Sequence, residues 1–245
     1  MSAHPRLLLV QIRKPGPVRR EEVQSFARHG GLDPDHIDVL NVFDVPTFAA
    51  SVADGYDALL VGGASEASVL EPATYPFVSP IIDLLKACID ARRPVFASCF
   101  GYQAAVLGLG GSVLRGGDDF EMGTLPLSLT PQARQDVLFS DAPDGLLAVS
   151  CHQEWAPEAP PGCVPLAYTA HCNHSFRVAG APFWAFQFHP ELDRQRFVER
   201  LGVFRDKYTD TEDEYAQTAA RFQETPESNA LVRKFVERVV RGQGS

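Results

Sequence analysis

Pro94-Val95-Phe96-Ala97-Ser98-Cys99-Phe100-Gly101-Tyr102-Gln103 reads as a buried strand ending in a sharp turn, with a thiol at the turn and a helix behind it. The apolar run Pro94–Ala97 is the strand, and Gly101–Leu109 is the helix that follows. Working outward from it, the N-terminal part of the chain repeats the same alternation. Leu7–Gln11 is a first apolar strand, Arg19–His29 a helix closed by Gly30-Gly31, and Ile37–Phe43 a second strand. Ala58–Val61 is a third strand and runs into Gly62-Gly63, while Phe77–Ala91 carries apolar residues at helical spacing. Strands alternating with helices predict a parallel sheet with right-handed crossovers, hence an α/β fold. In such sheets the functional site lies beyond the carboxyl ends of the strands, where Gly62-Gly63 and Cys99 both fall.

After Gly110-Gly111 the texture changes. Short strand-like runs at Thr124–Leu129, Leu146–Ser150, Val164–Tyr168, Ser175–Val178 and Phe183–Phe188 alternate with Pro- and Gly-rich turns, which predicts a smaller antiparallel section. From Asp193 onward the pattern is helical again. Thr225-Pro226-Glu227 is a good helix start, and Leu231, Val232, Phe235, Val236, Val239 and Val240 form one apolar stripe. The organisation expected is one main domain over 1–205 and a helical extension over 206–245 packed on that domain. The run Asp206–Glu214 is acidic and reads either as a solvated surface or as a segment that covers a pocket or docks a partner.

Composition narrows the function classes. The chain has 245 residues, 45% hydrophobic and 22% charged, ordinary for a globular protein able to bury a full core. A net charge of −9 without a long basic run argues against nucleic acid or an anionic membrane as partner. The cysteines are odd in number, five, and Cys88, Cys99, Cys151, Cys163 and Cys172 show no paired spacing, which predicts reduced thiols in a cytoplasmic setting. The apolar run Leu7–Val10 is too short for a signal segment, and no stretch approaches the length of a membrane span.

The chemistry is carried by two distant segments. Cys99 stands at a strand end directly before a helix, where the helix dipole favours a thiolate. About ninety residues later comes Phe186-Gln187-Phe188-His189-Pro190-Glu191, read as a second strand ending in an imidazole and a carboxylate. At i and i+2 of an extended segment, His189 and Glu191 leave the same side of the backbone. One imidazole nitrogen then faces the thiol and the carboxylate holds the other, so Cys99, His189 and Glu191 are the candidate catalytic set. The amide of Phe100 and that of Gly63 are the candidate oxyanion donors. Each part also has a structural reading: a core cysteine, a surface His-Pro-Glu turn, a plain glycine turn.

Joined in this order, Cys99-Phe-Gly-Tyr-Gln103, the upstream Gly-Gly turn and Phe188-His-Pro-Glu191 resemble the class I, triad-type glutamine amidotransferase domain, over roughly Leu7 to Glu191. The resemblance implies a three-layer, flavodoxin-like fold with a mostly parallel central sheet, and a stand-alone member of the family. It implies that Cys99 attacks the side-chain amide of glutamine, that ammonia leaves, and that a γ-glutamyl thioester is then hydrolysed. His189 would be general base and acid, Glu191 its orienter, and Gln103 a substrate-binding residue. Ser150-Cys151-His152-Gln153-Glu154-Trp155 lies where relatives have a loop lining the glutamine site, which places His152 and Gln153 there.

Ala97, Ala64 and Tyr102 depart from the family's usual Gly, Pro and His; they weaken the substrate assignment more than the chemistry. Phe100, directly after the nucleophile, argues against the related intracellular proteases, which carry His there. No cofactor is expected. His171-Cys172-Asn173-His174 with Cys151-His152 lacks the usual spacing of a zinc site, so no metal is expected either.

Three functions stay open at this point. The first is a glutaminase or glutamine amidotransferase, with any ammonia acceptor on a separate synthetase subunit. The second is a γ-glutamyl peptidase or hydrolase acting on another γ-glutamyl compound with the same residues. The third is a non-catalytic regulatory subunit, against which the intact Cys, His and Glu argue.

Overall fold

The computed structural model describes residues 4–116, 121–204 and 211–242. Five strands form the parallel part of the sheet: β1 (Leu7–Gln11), β2 (Ile37–Asn41), β3 (Ala58–Val61), β4 (Val95–Ser98) and, much later in the chain, β11 (Phe183–Phe186). The helices between them are α1 (Val18–Gly30), α2 (Val78–Asp90) and α3 (Phe100–Gly108). β5 (Leu114–Arg115) and β8 (Glu154–Trp155) make a separate two-residue ribbon. β6 (Glu121–Leu129), β7 (Leu146–His152), β9 (Cys163–Tyr168) and β10 (Asn173–Val178) supply the antiparallel section. The nine-stranded order is β2-β1-β3-β4-β11-β10-β9-β6-β7. The mostly parallel sheet with a smaller antiparallel part and flanking helices is the architecture the sequence predicts.

Strand parity sorts the core into two layers, because successive side chains point to opposite faces. Leu8 and Val10 of β1, Leu59 and Val61 of β3, and Val95 and Ala97 of β4 face α2 and α3, where Ile81, Leu84 and Val106 are fully buried. Leu7, Leu9, Ala58, Leu60 and Phe96 point the other way, onto Phe26 of α1 and onto Leu231 and Phe235 near the C-terminus. The last two belong to the helix Pro226–Lys234 and its continuation as a π turn, Phe235–Val240. Phe235 packs its ring 5.4 Å from Phe96 of the central strand. The apolar stripe read from the sequence is therefore a structural wall of the sheet. The acidic run from Asp206 lies largely outside the described residues, as does the 205/206 boundary.

β11 lies directly beside β4, with Phe186 registered against Ser98. That adjacency carries the chain segment after β11 toward the turn after β4.

Candidate active site

The turn after β4 is built around an unusual backbone. Cys99 has φ 49° and ψ −97°, a conformation L-residues rarely adopt, and it caps α3 without a side-chain hydrogen bond. Such strain at a strand–helix elbow exposes a side chain above the sheet while α3 starts immediately behind it. The elbow is held by the Cys99 N–H donating to Phe186 O at 2.7 Å and by Gln103 N–H donating to Cys99 O at 3.0 Å. Gly101 is required by the approach to β3. A Cβ there would lie 2.9 Å from Val61 Cβ and 3.0 Å from Val61 O. Ala97, by contrast, fits within the sheet between Val61 and Ala185.

The extended reading of His189 and Glu191 needs correcting. β11 ends at Phe186, and His189-Pro190-Glu191 lies in a turn in which Leu192 N–H donates to His189 O at 3.2 Å. The turn still joins the two side chains: His189 Nδ1 is 2.7 Å from Glu191 Oε1. With Nδ1 engaged, the far side of the ring is left for Cys99, whose charge also acts on His189. Cys99 and His189 are each 5% exposed and Glu191 is wholly buried, so the set opens outward at its thiol and imidazole.

Electrostatics follow from this enclosure. Burial alone pushes the His189 pKa down, but the charges of Glu191 and Cys99 and their hydrogen bonds outweigh it and raise the pKa to about 9. Burial pushes the Glu191 carboxyl up, but His189 and, beyond it, Arg200 hold it below its ordinary value. The pair thus sits as imidazolium and carboxylate at neutral pH.

Gly63 is enclosed by the same groups. A Cβ built on it would meet His189 Cε1 at 2.7 Å and Cys99 Cβ at 3.3 Å, so the turn leaves no room for a side chain beside either group. Its neighbour Gly62 is pressed against Glu22 Oε1, at 2.7 Å from a built Cβ. Glu22 is in turn locked by Arg13, whose Nη2 donates to Glu22 Oε1 at 2.8 Å with both side chains almost fully buried. Arg13 Nη1 also donates to Ser65 Oγ at 3.2 Å. Sequence reasoning missed this Arg13–Glu22 support. The only signal was an arginine two residues after the apolar strand β1 and an acid on the apolar side of α1.

Gly63→Ala tests the arrangement. The backbone at Gly63 is not in the left-handed region, so the fold tolerates alanine. The added methyl must displace the imidazole, and a misplacement of about 1 Å costs on the order of 10²-fold in rate. Expected is a loss of about that size in kcat/KM with a melting temperature within a few degrees of the parent. Unchanged kinetics would remove Gly63 from the site.

Cys99 opens into a cleft of about 500 Å³ lined by Ser65, Tyr75, Phe100, Gln103, Arg115 and Glu154, among others. Phe100 is the first residue of α3, where amides have no intrahelical acceptor. Gln103 reaches the cleft, but its Nε2 donates to Glu154 O at 2.8 Å, so much of its amide is spent on fixing the cleft wall. Gln153 is exposed at the rim. His152 also borders the cleft, yet its imidazole turns inward, with Nε2 3.0 Å from Glu121 Oε2. Burial, reinforced by the neighbouring His174 and His189, lowers its pKa to about 4 against the pull of Glu121. Tyr102 packs its ring 5.2 Å from Phe176 and donates to Asn173 O at 2.8 Å.

A parallel sheet with a strained cysteine elbow, a buried His-Glu pair and a glycine turn between them is the arrangement of a class of amide-cleaving domains. The profile of that family, Glutamine amidotransferase class-I, matches residues 40–201, and the chain belongs to it. A glutamine amidotransferase from Thermotoga maritima has the same fold, with TM-score 0.74 and 20% identity over 98% of this chain and 99% of that one. GMP synthase [glutamine-hydrolyzing] of Thermotoga petrophila is 30% identical over 112 residues, covering 46% of this chain and 21% of that protein. Gamma-glutamyl peptidase 5 of Arabidopsis thaliana is 24% identical over 71% of this chain and 69% of its own length. The match thus spans about a fifth of the GMP synthase relative. Among the described residues no helix is long and apolar enough to cross a membrane.

Proposed function

We propose that the protein hydrolyses the side-chain amide of glutamine through a γ-glutamyl thioester on Cys99, releasing glutamate and ammonia. The observation that carries the reading is His189, hydrogen-bonded through Nδ1 to buried Glu191 and influenced by the charge of Cys99, at a glycine turn where a Cβ on Gly63 would meet both His189 and Cys99.

Cys99 Sγ attacks the Cδ carbonyl carbon with its proton on His189. The carbonyl oxygen becomes an oxyanion facing the amides of Gly63 and Phe100. His189 passes its proton to the departing nitrogen, the C–N bond breaks, and ammonia leaves. Water then attacks the thioester and gives a proton to the imidazole. The C–S bond breaks and glutamate departs. Glu191 keeps the ring oriented throughout and stabilises it whenever it carries the proton. Gln103, Gln153 and the wall around His152 shape the space for the α-amino acid end of the substrate. An ammonia acceptor belongs on a separate synthetase subunit. A glutamine-hydrolysing GMP synthase of Methanocaldococcus jannaschii is divided in this way: the relative, 29% identical over half of this chain, is named as one subunit of it.

A second reading is a γ-glutamyl peptidase, in which the same thioester forms from a γ-glutamyl peptide. Two observations favour it: the cleft is about 500 Å³, with room beyond a single side-chain amide, and gamma-glutamyl peptidase 3 of Arabidopsis thaliana matches along 84% of this chain. A substrate panel decides between them. Ammonia release from glutamine, with glutathione and γ-glutamyl dipeptides inert, supports the amidotransferase. Glutamate release from the peptides with glutamine inert overturns it in favour of the peptidase.

A further inference from the structure

Behind the wall of the cleft four side chains from three strands meet. Glu121 opens β6 and is registered directly opposite His152 at the end of β7. Cys172 and His174 flank Asn173 at the start of β10. Glu121 Oε2 lies 2.8 Å from His174 Nε2, 3.0 Å from His152 Nε2 and 3.4 Å from Cys172 Sγ. One ligating atom from each of the four residues falls within 4.8 Å of all the others.

Hydrogen bonding alone accounts poorly for this convergence. Three potential donors crowd one carboxylate oxygen. His152 Nε2, on a side chain only 1% exposed, has no hydrogen bond of acceptable angle to any described residue despite its 3.0 Å contact. The Nε2 atom is therefore not spent on a hydrogen bond to the carboxylate, although it lies beside it. Neither histidine Nδ1 has a partner among the described residues, so the polar contact of both rings runs through Nε2, on the side of the cluster.

The geometry suits a small cation. Ligand atoms about 2.0–2.3 Å from a tetrahedral centre stand roughly 3.3–3.6 Å apart; the three distances from Glu121 Oε2 are 2.8–3.4 Å and every pair lies within 4.8 Å. Two imidazoles, a thiol and a carboxylate form a donor set for a borderline-soft transition ion and a poor one for magnesium or calcium. The carboxylate has the outer support such ligands require: Thr169 Oγ1 donates to Glu121 Oε1 at 2.9 Å, which leaves Oε2 turned to the cluster.

We propose that Glu121, His152, Cys172 and His174 bind a zinc-class divalent transition metal that staples the β6–β7 hairpin to the start of β10. His152 leads directly into Gln153 and Glu154, and Glu154 accepts from Ser68 at 2.6 Å and from Arg115 Nε at 2.8 Å. The metal thus anchors the strand end that forms one wall of the cleft. The spacing of His171-Cys172-Asn173-His174 hid the site. Two of its ligands lie far from that run in sequence, and His171 is diverted onto Trp155, with ring centroids 4.4 Å apart.

The test uses untagged full-length protein carrying Cys99→Ala, so that the candidate nucleophile contributes no thiolate. After stripping with a chelator, cobalt(II) and zinc(II) are titrated. Expected are one equivalent of cobalt with a thiolate charge-transfer band, displacement by zinc, and a higher melting temperature with zinc bound. Cys172→Ser should remove the band, and His174→Gln should weaken binding by more than about tenfold. Absence of stoichiometric binding, or a charge-transfer band that survives Cys172→Ser, overturns the site. Should Cys172→Ser fail to fold, the parent titration and His174→Gln decide the matter.

Discussion

Replacing Cys99 with alanine is expected to abolish turnover of glutamine and of every γ-glutamyl peptide while leaving the fold intact. Alanine keeps the Cβ, so the strained elbow at φ 49° is no more and no less strained than before. The side chain of Cys99 makes no capping hydrogen bond to α3, so the helix start loses nothing. The chemistry loses its nucleophile, and removing the nucleophile of a triad lowers kcat by about 10⁴–10⁶-fold. Three of the other thiols are poor replacements for it. Burial pushes Cys88 and Cys163 up to about 11, and Cys172 is raised further by burial and by the charge of Glu121. Ammonia or glutamate release is measured beside a thermal melt. Activity surviving in a folded Cys99→Ala variant would sink the thioester mechanism with either substrate.

Glu191→Gln is expected to cost about 10²–10⁴-fold in kcat and to move the alkaline limb of the pH–rate profile to lower pH. His189 is buried, which by itself favours the neutral ring; the charge of Glu191 is the largest opposing influence and, with Cys99, lifts the pKa to about 9. On the proposed mechanism, the proton needed by the departing nitrogen is therefore available in the parent protein up to about pH 9 and is lost above it. Glutamine at 191 keeps a hydrogen bond but not the charge, so the imidazolium is lost at a lower pH.

The same shifts set a stability window. His189 has a folded pKa above its ordinary 6.5, so its contribution is full below 6.5 and disappears as pH rises through about 9. Glu191 is held below its ordinary 4.5, so its contribution is present above that value and lost as pH falls through the depressed one. An alkaline limb that stays in place in Glu191→Gln would assign the limb to another group.

Much of this architecture is legible in local pattern. The apolar runs of β1, β3 and β4, the helical spacing of α2 and the glycine pair after β3 are signals carried by contiguous residues. So is the switch to short strands after Gly111, since alternation and turn residues act over only a few positions. Cys99 at a strand end and His189 with Glu191 two positions on could be picked out for the same reason. The backbone between His189 and Glu191 was legible only in part. Two side chains at i and i+2 meet in an extended segment or in a turn, and the sequence does not separate these.

The sequence by itself determined the layer order of an α/β sheet, the polar groups at its strand ends and the family to which the chain belongs. Only the tertiary structure decided which of those groups touch. The placement of β11 beside β4 brings the turn after Phe186 toward the elbow at Cys99, and no residue in either segment encodes the other's distance. Gly63 acquires its meaning from a ring 126 positions away, since its hydrogen leaves the space that His189 Cε1 occupies. The Arg13–Glu22 pair, and the meeting of Glu121 with His152, Cys172 and His174, likewise arise from side chains on separate elements. Short-range preferences choose the elements. Sheet order and the crossovers, governed by burial of two opposite faces, choose their neighbours and thereby compose the site.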